Sequence, residues 1–131
     1  MKTEDGFELQ FGVNHLAHFL MTNLLLKDNL INEEGGRVII VSSLAHRQAR
    51  QGIRFDDLNF EKGYSRWAAY GQSKLANILF AKELNKRMKQ QGKKIVAVSL
   101  HPGIGTYKLK KSIFTTTKFS VQVTLKICYK K

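Results

Sequence analysis

The chain has almost nothing that would cross-link it or carry it through a membrane. A single cysteine, Cys128, excludes an internal disulfide and a cysteine-based zinc site. No stretch is apolar for the ~20 residues a membrane helix needs. The opening residues, Met1 to Gly6, lack the apolar core of a signal peptide. His15, His18, His46 and His101 lack the paired spacing of metal ligands, so they read as packing or surface residues and no metal is expected. Acidic residues are scarce: 10 Asp and Glu stand against 22 Lys and Arg, for a net charge of +12. That charge invites a nucleic-acid partner, but its distribution argues otherwise. Residues 107–131 hold seven lysines and no acid (+7), while 15 basic and 10 acidic residues leave +5 on residues 1–106. The excess is confined to one tail, no nucleic-acid motif occurs, and no nucleic-acid partner is expected.

What remains is enough for one globular domain: 131 residues, 43% of them hydrophobic. Residues 5–31 read as a long helix, with Phe7, Phe11, Leu16, Phe19, Leu20, Leu24 and Leu25 at helical spacing. Gly12 and Asn14 are poor helix formers near its middle. After a turn at Glu33 to Gly36, Arg37 to Val41 is short, β-branched and without alternation, the pattern of a strand buried on both faces. Residues 44–64 are polar and irregular. Residues 65–91 form a second long helix, stopped by Gly92. Lys94 to Leu100 is a second buried-type strand, ending at His101-Pro102-Gly103. Helix, strand, helix, strand implies an α/β fold with a parallel sheet. The tail differs: from Phe119 to Lys130 apolar and polar residues alternate, as in an amphipathic strand whose partner is not evident.

Tyr70 and Lys74 stand four residues apart in Ala69-Tyr70-Gly71-Gln72-Ser73-Lys74, so they share a helix face. A cation beside a phenol favours the phenolate, which suits proton exchange with an alcohol or carbonyl. The pair alone is weak, since Tyr107 to Lys111 repeats the spacing. Topology strengthens it. Ligands of parallel sheets sit at the carboxyl ends of the strands. Ser43 follows one strand end and Pro102-Gly103 the other, with Tyr70 early in the helix between.

Six ordered strings carry a resemblance: Asp5 to Glu8, Gly12 to Phe19, Val41 to His46, Phe55 to Asn59, Tyr70 to Asn77, and His101-Pro102-Gly103. Together they resemble the short-chain dehydrogenase/reductase superfamily, nearest its retinol-dehydrogenase-like branch. The resemblance covers roughly residues 3–106. It implies a partial Rossmann-like, doubly wound parallel sheet, truncated at the N-terminus, in which residues 1–106 form the C-terminal half of the domain. Residues 107–131 are a divergent basic tail. It also implies a tetrad. Tyr70 would be the general acid/base. Lys74 would support Tyr70 and bond the nicotinamide ribose. Ser43, the second of two serines, would hold the substrate oxygen. The Asn14 carbonyl would hold a water at a helix irregularity. Pro102 and Gly103 would border the nicotinamide. NADP, with NAD as the alternative, would be the cofactor, and a lipophilic alcohol, aldehyde or ketone, retinoid-like, the substrate. Read from the residues alone, Asn14 equally marks a helix kink, Ser43 an N-cap, and Pro102-Gly103 a plain turn. Trp67 and Phe80 read as helix-face packing.

Two features depart from the family pattern. No Gly-x-x-x-Gly-x-Gly turn, the family's pyrophosphate site, occurs in the sequence. Only Ile104 and Gly105 separate Gly103 from Thr106, where the family usually has three residues. The expected function is therefore an NAD(P)-dependent oxidoreductase whose activity in this chain alone is doubtful. The alternative is a non-catalytic fragment that dimerises with a full-length relative through 5–31 and 65–91. Membrane association belongs to full-length relatives, and the compartment stays open between cytoplasmic and membrane-associated.

Overall fold

The computed structural model describes residues 1–102 and the pair 126–127; Gly103 and the rest of the tail lie outside the described residues. Elements run in the order α1 (Leu9–Phe11), a π-helical turn (Gly12–Leu16), α2 (Ala17–Lys27), β1 (Arg37–Val41), a 3-10 turn (Leu44–Gln48), α3 (Arg66–Gln90), β2 (Val96–His101) and β3 (Lys126–Ile127). β1 and β2 pair in parallel, from Arg37 opposite Val96 to Val41 opposite Leu100. α3 is the crossover between them. The result is a partial Rossmann-like α/β arrangement. β3 pairs antiparallel with β2, with Leu100 opposite Ile127 and His101 opposite Lys126. That supplies a strand neighbour for this part of the alternating tail.

The expected helix over 5–31 is shorter and interrupted. Gly6 takes a φ of +84° in a tight turn, where Thr3 N donates to the Phe7 carbonyl at 2.8 Å. Glu8 then caps the helix: its buried carboxylate accepts from Phe11 N at 2.7 Å. At the far end Asn29 sits at φ +54°, its amide bonding Leu26 O and that of Leu30 bonding Leu25 O. This is a left-handed cap that ends α2 at Lys27. α3 ends the same way on Gly92 (φ +71°), with Gly92 N on Lys89 O and Lys93 N on Met88 O. There the glycine stop expected from the sequence is borne out.

Both strands are patterned for burial on two faces, and each is covered on one only. The face toward α3 is covered: Leu84, Met88, Ile95 and Ala97 form a core, with Val38, Leu26, Ile31 and Phe80 packed against it. The opposite face is open, with Ile39 57% and Val98 38% exposed alongside Val41 and Val96. Lone β-branched runs report strand, but coverage depends on what lies against each face. Trp67 also departs from the expected packing role, being 68% exposed, with its ring 6.5 Å from that of Tyr70. Phe80 does pack, 4.9 Å from the Phe19 ring and 6.2 Å from His15.

Candidate active site

The site lies where β1 ends, α3 begins and the π-helical turn crosses both. Three devices bring these segments together. Gly71 lets α3 touch the 3-10 turn: a Cβ there would stand 2.7 Å from the Ala45 carbonyl oxygen. Ser42, buried at the end of β1, donates its hydroxyl to the Lys74 carbonyl at 2.7 Å. Asn14, inside the π-helical turn, donates from Nδ2 to Ser73 Oγ at 3.1 Å, and Ser73 donates to the Tyr70 carbonyl at 2.8 Å. The backbone carrying Tyr70 and Lys74 is thus tied to both neighbours.

Tyr70 and Lys74 share one face of α3, with the Lys74 ammonium 5.7 Å from the centre of the Tyr70 ring. Both are half-buried. Lys74 Nζ donates to the Val41 carbonyl at 3.3 Å. Among the described residues the Lys74 ammonium has no carboxylate partner, and the Tyr70 hydroxyl has no hydrogen bond. The Ser43 hydroxyl accepts from Ala45 N at 3.2 Å and so caps the 3-10 turn. An oxygen that accepts in this way keeps its own O–H to donate elsewhere. Asn14 sits on the expected irregularity, which is π-helical, a form frequent at functional sites. Its carbonyl accepts from Asn77 Nδ2 at 3.0 Å, using one of two lone pairs. Asn14, His18, Thr22, Val41, Lys74 and Asn77 line one cavity of about 430 Å³. Pro102 is exposed just beyond the end of β2; Gly103 lies outside the described residues.

Asn77 and His15 enter the site although the sequence reading gave neither a role. Asn77 also bonds the Val41 carbonyl at 3.0 Å, and its Oδ1 faces His15 Nδ1 at 3.0 Å. Burial holds the His15 pKa below the ordinary histidine value; the bond to Asn77 opposes this, and nearby His18 adds to it. The usable signal was spacing: Asn77 lies three residues after Lys74, on the same side of the helix. The adjoining loop is organised by Asp57, whose carboxylate accepts from Glu61 N at 2.7 Å and Lys62 N at 3.1 Å. Burial raises its pKa, but these amides and Arg54 more than offset that, and it ends below the usual carboxylate range. Among the described residues no group of three or more His, Cys, Asp or Glu could hold a metal ion. No described helix is long and apolar enough to cross a membrane.

No protein-family model matches the chain. Individual relatives do. Human retinol dehydrogenase 14 is 52% identical over 104 residues, covering 79% of this chain and 30% of that protein. Human retinol dehydrogenase 13 is 54% identical over 108 residues, covering 82% and 31%. Mouse retinol dehydrogenase 12 is 52% identical over 103 residues, covering 79% and 31%. Over about four-fifths of its length the chain is thus similar to retinol dehydrogenases, which are short-chain dehydrogenases/reductases. It spans about a third of the length of these curated relatives. An uncharacterised protein of Mycobacterium paratuberculosis, solved by crystallography, superposes with a TM-score of 0.68 at 47% identity. That match covers 82% of this dehydrogenase-like chain and 38% of the other.

Proposed function

We propose that residues 1–102 carry the proton-handling part of an NAD(P)-dependent site that interconverts an alcohol and a carbonyl. The observation that carries this is the Tyr70 hydroxyl, without a hydrogen bond among the described residues, beside the Lys74 ammonium, which bonds the Val41 carbonyl, on adjacent turns of α3 near the carboxyl end of β1. The neighbouring Ser42, Ser73 and Asn77 side chains are all spent on structural hydrogen bonds.

In reduction Tyr70 donates its proton to the substrate oxygen; in oxidation it takes the alcohol proton. The Lys74 ammonium stabilises negative charge developing on the Tyr70 oxygen. Ser43, whose O–H has no acceptor among the described residues, holds the substrate oxygen. The second lone pair of the Asn14 carbonyl accepts a water that connects Lys74 to solvent. The remaining N–H groups of Lys74 suit the vicinal hydroxyls of a nicotinamide ribose, and Pro102 with Gly103 would border the ring. NADP is the expected form, with NAD the alternative; when bound, it supplies or accepts hydride at the nicotinamide. The sequence offers no glycine-rich turn for the pyrophosphate, so this chain alone is expected to be a poor catalyst. The names of the relatives support a lipophilic, retinoid-like alcohol or aldehyde as substrate.

A second reading is favoured by apolar side chains left open on the two long helices: Phe19, Leu20 and Leu24 on α2, Trp67 and Leu79 on α3. In it the chain binds a full-length relative through these helices. One experiment separates the two. The full chain is incubated with NADPH or NADH and retinaldehyde, alone and with a full-length retinol dehydrogenase whose counterpart of Tyr70 is replaced. Turnover lost in Tyr70→Phe supports the first reading. A complex on size exclusion without Tyr70-dependent turnover supports the second. Turnover that survives Tyr70→Phe overturns the first reading, absence of a complex overturns the second, and neither complex nor turnover overturns both.

A further inference from the structure

Asn77 is 3% exposed and uses its whole side-chain amide. Nδ2 donates one hydrogen to the Asn14 carbonyl and the other to the Val41 carbonyl, each at 3.0 Å. A carbonyl can only accept, so this orientation of the amide is forced. Oδ1 must then face His15, and His15 Nδ1, 3.0 Å away, must carry a hydrogen to meet it. The ring is held between aromatic neighbours, 5.2 Å from the Phe11 ring and 5.9 Å from Phe19. The Val41 carbonyl bonded by Asn77 is also the acceptor for Lys74 Nζ.

We propose that Asn77 is the positioning residue of this site. Its amide fixes the Val41 carbonyl and so the resting place of the Lys74 ammonium. The same amide fixes the Asn14 carbonyl in the π-helical turn, and His15 sets which way the amide faces. Asn77 itself does not touch the reacting atoms. The inference deepens the function proposed above and rests on it for its meaning, but the clamp can be tested with no turnover at all.

The test is NMR on the full chain with labelled histidine, lysine and asparagine side chains. In the unmodified protein His15 is expected as the Nδ1–H tautomer. The Asn77 amide protons are expected to exchange at least ~10-fold more slowly than exposed amides, as buried bonded groups do. Asn77→Leu should move the Lys74 side-chain resonances toward those of surface lysines. Leu84→Ala, a buried change further along α3, should not move them despite lowering stability. If Asn77→Leu does not fold, His15→Phe keeps the packing and removes only the donor; it should move Lys74 in the same direction and speed exchange at Asn77. An Nε2–H tautomer in the unmodified protein overturns the assigned amide orientation. A Lys74 signal unmoved in whichever of Asn77→Leu and His15→Phe folds reduces Asn77 to a core residue. If the clamp passes and turnover still ignores Tyr70, the function proposal fails alone.

Discussion

The Ser42 hydroxyl donates to the main-chain carbonyl of Lys74 at 2.7 Å. It ties the end of one strand to the third turn of the helix that carries the Tyr–Lys pair. Two adjacent serines therefore have separable jobs: Ser42 is buried and spent on this bond, whereas Ser43 is half-exposed with a hydroxyl hydrogen to spare. Ser42→Ala should cost about 1 kcal/mol, the usual net value of one buried hydrogen bond. Urea melts of the full chain check this. Ser43→Ala should cost about 1 kcal/mol as a lost cap and, in the complemented assay, nearly all turnover. Equal loss of turnover from both would mean that the two roles do not divide.

Gly71→Ala drives a methyl group to 2.7 Å from the Ala45 oxygen and 3.1 Å from the Ala49 nitrogen. Both are backbone atoms that cannot swing aside. Overpacking of this kind costs roughly 1–3 kcal/mol, against the gain of up to ~1 kcal/mol that alanine normally brings to a helix interior. The net change should be a lower thermal midpoint. A raised midpoint would show that the 3-10 turn retreats freely.

Stability should fall as the solution is acidified below neutrality. The folded His15 pKa is depressed below its ordinary value of 6.5, chiefly by burial. Between the two values the unfolded chain binds the proton and the folded chain does not, so stability rises with pH in that window. Stability from this group is full above the unfolded value and is lost as pH drops through the folded one. His15→Phe should flatten that part of the stability–pH curve. An unchanged slope would assign the acid sensitivity to another group.

The open sheet face predicts self-association. Ile39, Val41, Val96 and Val98 form a contiguous apolar patch on neighbouring strands, the sort of surface that seeks a partner. Sedimentation velocity should show concentration-dependent species, reduced in Val98→Lys with little change in thermal midpoint. A monomer at every concentration would mean that the patch is covered in solution.

Much of this was legible beforehand, for local reasons. Arg37 to Val41 reads as strand from β-branching, Gly92 as a stop from its freedom at positive φ, and Tyr70 with Lys74 as one face from helical spacing. The early start assigned to the first helix overlooked Asp5-Gly6, a turn dipeptide, and Glu8, a side chain able to cap. Which face of each strand stays open was not legible from its residues, because coverage is a property of neighbours. Spacing puts Asn77 on the Lys74 side of the helix, but its three partners lie 36 or more positions away and were not legible.

The tethers of the site also set when it can exist during folding. Asn14 reaches Ser73 across 59 positions, and Ser99 reaches the Ile40 carbonyl across an overlapping span of 59. α3 can coil from its own local contacts, but both long loops must close before its Tyr–Lys face has an address in space. Closing long loops is the slow, entropically expensive part of folding. A nascent or partly melted chain can thus show full helix signal and still have no site. Proton-transfer competence then becomes a late and sensitive gauge of completed folding, and helicity a poor one.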